Sequence, residues 1–282
     1  MYDENNIEKK TQSNNHNTFA NKDHGSQQGI IKKAEYIDNL EDSILSQLKE
    51  HNIPSYLSDV YHWAYINPKN IRRLDNSFIY HLILFGQGSR LMNMYLKEIK
   101  AGDRVLQVAH VYGNLVKKIA KKVGDKGSLD IIDVVPYQLK RAQEKLKDFN
   151  NVDMWLQDGA APYHRLYDVV GVYFLLHEVP DNVKKQIIEN ALAQIEENNA
   201  KVVFIDYHHP HYFHPVRPIL KFINTFLEPF SNALWEREIQ NFTNKAHLYH
   251  WEKTTIFGGV YQKVVVSKKT KNTIDLENNQ ED

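Results

Sequence analysis

The chain has 282 residues, 35 of them basic and 35 acidic, so its formal net charge is zero. That length is ample for a buried core, and balanced charge excludes a protein that lives on nucleic-acid phosphates. At 42% hydrophobic and 11% aromatic it is not disordered as a whole; lacking cysteine, it has no disulfide, thiolate metal site or cysteine nucleophile.

Residues 1–32 are rich in Asn, Gln, Lys and Asp and read as a disordered polar tail, as do residues 268–282. The opening MYDENNIEKK has neither the apolar stretch of a secretory signal nor the composition of a transit peptide. The longest apolar run, Val169–Leu176, is far shorter than the roughly 20 residues of a spanning helix. A soluble globular protein is expected.

Residues 33–100 read as a helical region. Ile37, Leu40, Ile44, Leu45 and Leu48 make one stripe. A second stripe follows Pro68, with Ile71, Leu74, Phe78, Leu82 and Phe85, and resumes after Gly86 and Gly88 at Leu91, Met94, Tyr95 and Ile99. Tyr61, Trp63 and Tyr65 form an aromatic connector that packs in the core or stacks on an aromatic ligand.

From residue 101 strands and helices alternate. Strands are expected at Arg104–Ala109, Ser128–Val135, Val152–Leu156, Asp168–Leu176 and Lys201–Asp206, and helices at Leu115–Val123, Tyr137–Lys147 and Asp181–Ile195. Tyr249–Phe257 and Tyr261–Ser267 flank Gly258-Gly259 and read as a closing hairpin. The implied fold is α/β and Rossmann-like: a mostly parallel seven-stranded sheet over 101–267, helices on both faces, an N-terminal helical extension, and an insertion or lid at 207–248.

Ligands of such sheets bind beyond the carboxyl ends of the strands. There the chain places Gln107, Ala109, His110, Tyr112 and Gly113 after the first strand, and Asp133 and Val134 after the second. Asp158 and Gly159 follow the third strand, His177 and Glu178 the fourth, Asp206 and Tyr207 the fifth. Asp133 stands at the distance from Gly113 at which a carboxylate grips an adenosine ribose; the same carboxylate suits the cap of the next helix. Asp158-Gly159 suits an adenine edge or a plain turn. Only Gly113 survives of a dinucleotide glycine signature, which disfavours NAD and FAD and leaves a nucleoside without phosphates, S-adenosylmethionine, as the better fit.

The succession VLQVAHVYGN, DIIDVVP, LQDGAAP, YDVVGVYFLLHEVPD and KVVFIDYHHPH resembles class I S-adenosylmethionine-dependent methyltransferases. With VYHWAYINPKNIRRLD, LEPF, LWEREI and TTIFGGVYQKVV, it is similar more narrowly to the RquA family of rhodoquinone-biosynthesis enzymes, from about Tyr56 to Val266. That resemblance implies conversion of ubiquinone to rhodoquinone, a ring methoxy group giving way to an amino group. S-adenosylmethionine would be the amino donor and manganese the helper ion. It further implies a cytoplasmic enzyme held peripherally at the inner membrane, or a mitochondrial one in a eukaryote.

Where ordinary class members carry an acid and glycines, this chain has Gln107, Ala109 and Val111. A neutral amide holds an ammonium ion less well than a carboxylate, so the methionine amine is expected to lose its proton and become a nucleophile; simple weakening of cofactor binding is the other reading. Asp206, His208, His209 and His211, with His214 beyond, offer imidazole and carboxylate donors for a divalent ion, or ordinary hydrogen-bonding histidines. His177 or Glu178 would serve as general base, with Tyr207 as a further catalytic candidate. The apolar segment Tyr212–Phe230, with Arg217 and Lys221, suits a packed lid or an anionic membrane surface. A conventional methyltransferase on a lipophilic ring and a non-catalytic adenosyl-binding subunit remain as alternatives.

Overall fold

A computed structural model describes residues 68–269 together with Pro54, Leu57, Val60 and Tyr61. The stripe expected at Ile37–Leu48 and the tail at 1–32 lie outside these residues, as do Trp63, Tyr65 and the terminal tail beyond Lys269.

Among the described residues three helices precede the sheet: α1 (Pro68–Leu74), α2 (Ser77–Ile83) and α3 (Gly88–Leu96). The first two were expected as one stripe, but the chain breaks between them. Asn76 adopts an extended conformation there, and its side chain accepts the Phe78 N–H at 2.8 Å, capping α2. An asparagine that competes for local backbone ends one helix and starts the next.

The sheet then assembles from β1 (Arg104–Val108), β2 (Ser128–Asp133), β3 (Val152–Leu156), β4 (Val169–Tyr173), β5 (Lys201–Tyr207), β6 (Tyr249–Ile256) and β7 (Tyr261–Lys268). Between strands run α4 (Leu115–Val123), α5 (Pro136–Leu146), α6 (Asp181–Asn198), α7 (Arg217–Phe226) and α8 (Asn232–Glu236). The strand order is β3-β2-β1-β4-β5-β7-β6, and β7 alone runs opposite to the other six strands. The order reverses between β1 and β4, where the first crossover series ends and the second begins, and a crevice opens at that point. β4 is shorter than its apolar run suggested. It stops at Tyr173, and Leu176–Glu178 forms a 3₁₀ turn instead.

Alternation along each strand feeds two cores. Val105, Leu129, Ile131, Val169 and Val203 face one side, where α3, α4 and α5 pack. Leu106, Val108, Ile132, Val170 and Phe204 face the other, covered by α6 and α8. Covering both faces explains why the central strands read as continuous apolar runs. Helix α3 sits close on β4 because Gly171 has no side chain: a Cβ there would overlap the Tyr95 hydroxyl. Gly171→Ala is therefore expected to overpack this contact, lowering stability by about 1–3 kcal/mol. Circular-dichroism melting should record a loss of several degrees in Tm.

Candidate active site

A cleft opens beyond the carboxyl ends of β1, β2, β3 and β4. Ala109 and His110 line it from the first strand, Asp133 and Val134 from the second, and Asp158 and Gly159 from the third. Phe174, Leu175 and Glu178 wall it on the β4 side, and Leu57 approaches from the N-terminal region. The structure thus brings together six of the nine residues expected to hold a nucleoside. The other three, Gln107, Tyr112 and Gly113, do not line it.

Asp133 is buried, and its two oxygens accept the backbone N–H groups of His110 and Val135, each at 2.8 Å. Burial, only partly offset by those amides, lifts its acid to about 6. Each oxygen keeps a lone pair, so the carboxylate can fix the β1 end and still accept from a ligand hydroxyl. Nearby, the His110 Nδ1 is buried without a hydrogen-bond partner. Burial, then the cations Lys145 and Arg141, push its ring well below the usual histidine range, so it is a neutral imidazole.

Two non-glycine residues in the left-handed region frame the cleft, Ala109 at φ +66° and Phe174 at φ +51°. Such backbone is uncommon for side chains with a Cβ and persists only where neighbours hold it. Gln107 holds the first: its amide donates to the Val108 and Ala109 carbonyls at 3.1 and 3.2 Å and accepts the Tyr95 hydroxyl at 3.0 Å. Gln107 is thereby committed to its own loop. The rings of Tyr207 and Tyr261 pack edge-on against Phe174.

Asp75, the last residue of VYHWAYINPKNIRRLD but not singled out in the sequence, braces the loop after β1 from outside the sheet. Its carboxylate accepts the Gly113 N–H at 3.2 Å and pairs with Arg141 and Lys145 of α5. Lys145 also donates to the Gly113 carbonyl at 2.9 Å. These residues converge only through folding, and spacing could not reveal them.

On the β4–β5 side, Asp206 is buried and gathers three hydrogens. It accepts the Leu176 and Tyr207 N–H groups at 2.9 and 2.8 Å, and contacts His177 Nδ1 at 2.9 Å. His177 Nε2 then lies 3.6 Å from a Glu178 oxygen. Asp206, His177 and Glu178 form a row whose last member reaches the cleft wall. Burial alone would lower the His177 ring, but Asp206 outweighs it and lifts the imidazole to about 9. Tyr207 packs edge-on at 4.8 Å from His177, and burial among other phenols raises its hydroxyl well above the usual range, so it stays protonated.

Glu228 was quoted within LEPF but not singled out. Burial raises its acid, and His177 lies close enough to oppose that shift. The buried Lys184 carries it there by donating to the Val179 and Phe230 carbonyls at 2.6 and 3.0 Å, tying the turn after β4 to the turn after α7.

The expected metal set does not converge. Asp206 is engaged as described. His208 Nδ1 meets the Gly259 carbonyl at 3.1 Å and His209 Nε2 meets Arg217 at 3.1 Å, while the His211 backbone N–H donates to the Gly258 carbonyl at 2.9 Å and leaves its exposed ring outward. His214 packs its ring on Phe257 instead. These partners hold the neighbouring rings apart. Among the described residues no group of three or more histidines and carboxylates is placed to hold a metal ion.

Residues 79–232 match the ubiE/COQ5 methyltransferase family. A protein-L-isoaspartate O-methyltransferase of Ignicoccus hospitalis is 33% identical over 94 residues, 32% of this chain and 44% of the relative. The ubiquinone/menaquinone biosynthesis C-methyltransferase UbiE of Teredinibacter turnerae is 28% identical over 120 residues, 41% of this chain and 47% of the relative. The chain therefore spans under half the length of either. An O-methyltransferase family protein from Burkholderia thailandensis has the same fold, with TM-score 0.54 and 11% identity over 84% of this chain and 71% of its own.

The His177–Asp206 pair makes a pH prediction. Because its folded value lies above the ordinary 6.5, the pair stabilises the fold fully below about 6.5, and that contribution disappears as pH rises through about 9. An NMR titration of the ring should show imidazolium persisting to about pH 9, and in Asp206→Asn it should titrate at or below 6.5.

Proposed function

The chain belongs to the ubiE/COQ5 methyltransferase family, and on that premise we propose that it is an S-adenosylmethionine-dependent transferase acting on ubiquinone. Its product is rhodoquinone, formed by exchanging a ring methoxy group for an amino group. The observation that carries this reading is the state of the β1 loop. Gln107 replaces a carboxylate and spends its amide on the Val108 and Ala109 carbonyls, so the loop presents no anion to an ammonium group. An amine bound beside it stays neutral and nucleophilic.

The residues present fit the cofactor. Asp133 has lone pairs available for ribose hydroxyls, Asp158 and Gly159 form an edge for adenine, and the orphaned His110 Nδ1 offers a further polar contact. When bound, S-adenosylmethionine would supply the nitrogen that replaces methoxy: the ring carbon would gain the new C–N bond and release methoxide, which leaves with a proton as methanol, and hydrolysis of the bond between that nitrogen and the cofactor's alpha carbon would free the ring amine. Glu178, on the cleft wall, takes the proton released as that nitrogen adds. His177 stands behind it as imidazolium, fixed by Asp206, and supplies positive charge beside developing negative charge on the ring oxygen. Phe174, Leu175 and Val179 give the ring an apolar wall that excludes water. The histidines after β5 do not provide a manganese site, and no step is routed through a metal.

Methyl transfer to a quinone carbon is the second reading, favoured by the likeness to a quinone C-methyltransferase. Purified full-length chain, ubiquinone and S-adenosylmethionine labelled at either the amine nitrogen or the methyl carbon separate the two by mass spectrometry. Nitrogen label in the quinone with loss of methoxy is expected; methyl label selects the second reading, and no label in any quinone ends both. Asp133→Asn, which cannot accept two backbone amides and two ligand hydroxyls alike, should weaken cofactor binding at least about tenfold by calorimetry.

A further inference from the structure

Two segments far apart in the chain share an unusual distribution of charge. From Pro68 to Lys97 the only carboxylate is Asp75, and from Tyr207 to Trp235 the only one is Glu228. Both are turned inward, Asp75 onto Arg141 and Lys145, Glu228 into burial near His177. The outer surfaces carry large apolar groups and cations instead. On α2 these are Phe78, 73% exposed, with Leu82 and Ile83, and the exposed Arg72, Arg73 and Arg90 lie on the adjoining helices. In the second segment Phe213 is 92% exposed, and Ile219, Phe222 and Phe226 line the outer side of α7 around Lys221. The inner side of α7 buries Leu220 and Asn224, so the helix is amphipathic with a second apolar face left outward.

The two segments adjoin. Phe85, just after α2, stacks on Phe257 at 6.2 Å, and Phe257 meets His214, just before α7, at 4.8 Å. Leu84 and Leu220 share one core. From Phe257 the rings continue inward, to Tyr261 at 6.2 Å and on to Phe174 at 5.8 Å, and Phe174 lines the cleft. An aromatic row thus leads from the exposed apolar surface to the site.

We infer that α2, α7 and the Tyr212–Phe213 tip dock the protein on an anionic lipid bilayer, with the aromatic row joining that face to the cleft wall. Charge selects the occupant. Exposed phenylalanines interleaved with cations and free of exposed carboxylates suit an interface of acyl chains beneath anionic headgroups. A second copy would set the same cations against one another across a two-fold axis. The inference rests on the quinone reading only in taking the substrate to be lipid-borne, and its test reads binding, not turnover, so either can fail alone.

Flotation of the full chain with vesicles of phosphatidylcholine, alone or mixed with phosphatidylglycerol, tests it. Binding to the mixed vesicles is expected, weakening as salt rises. Phe213→Ser/Phe222→Ser/Phe226→Ser should bind at least about tenfold more weakly, since each buried phenylalanine contributes strongly. The Tm and the binding of S-adenosylhomocysteine should be unchanged in that variant; should it misfold, Lys221→Glu alone should still reduce binding to the anionic vesicles. Equal affinity for both vesicle types, no binding to either, or folded variants that bind as the parent does would each overturn the inference.

Discussion

Two buried carboxylates hold the carboxyl edge of this sheet in shape. A parallel sheet ends in backbone amides that have run out of strand partners, and each must find an acceptor when burial excludes water. Asp133 collects two such amides and so couples the ends of β1 and β2. Asp206 collects two more together with a histidine proton, and so couples β4 to β5. The cleft lies between these fixed points, at the reversal of strand order, and its floor is only as rigid as they are. Losing either acceptor would strand buried donors, at about 1–3 kcal/mol for each group left unpaired.

That frame explains which parts of the molecule were legible in the sequence. β3 and α4 stand at the residues their patterns named, because β-branched runs and regular apolar spacing are local properties. The cleft edge was legible too, since acids and glycines directly after strands have few other places to go. What escaped was assembled through space. Asp75, Lys145, Lys184 and Glu228 lie in stretches that read as ordinary helices or loops, and their roles exist only after folding brings them beside Gly113, Val179 and His177. Gln107 stood out as a departure from a glycine-and-acid pattern, yet the sequence could not say that its amide turns back onto its own loop.

The histidine-rich stretch after β5 shows the opposite failure. Density of imidazole along a chain is not convergence in space, and here proline and the hairpin carbonyls decide where each ring goes. Gly258 accepts the His211 backbone amide, and the Gly259 carbonyl meets the His208 ring. A Cβ at Gly258 would strike the His214 ring, so glycine at that turn is what allows the stretch to lie flat on the hairpin. The histidines serve as fasteners between the insertion and the sheet, and they set the position from which α7 projects.

The same fastening links chemistry to surface. Phe257 sits at the tip of the β6–β7 turn with Phe85 on one side and His214 on the other, so both apolar outer segments are registered to a single ring. That ring is stacked nearly parallel to Tyr261, which in turn meets Phe174 and Tyr207 beside the His177–Asp206 pair. His214, just before α7, is thus joined to Phe174 through Phe257 and Tyr261 in close-packed contact. Phe174 already holds a left-handed backbone that its neighbours must enforce. Contact at the outer face therefore reaches the cleft wall only through a chain of aromatic contacts, and the His177 row, which touches Phe174 itself, is fixed by Asp206.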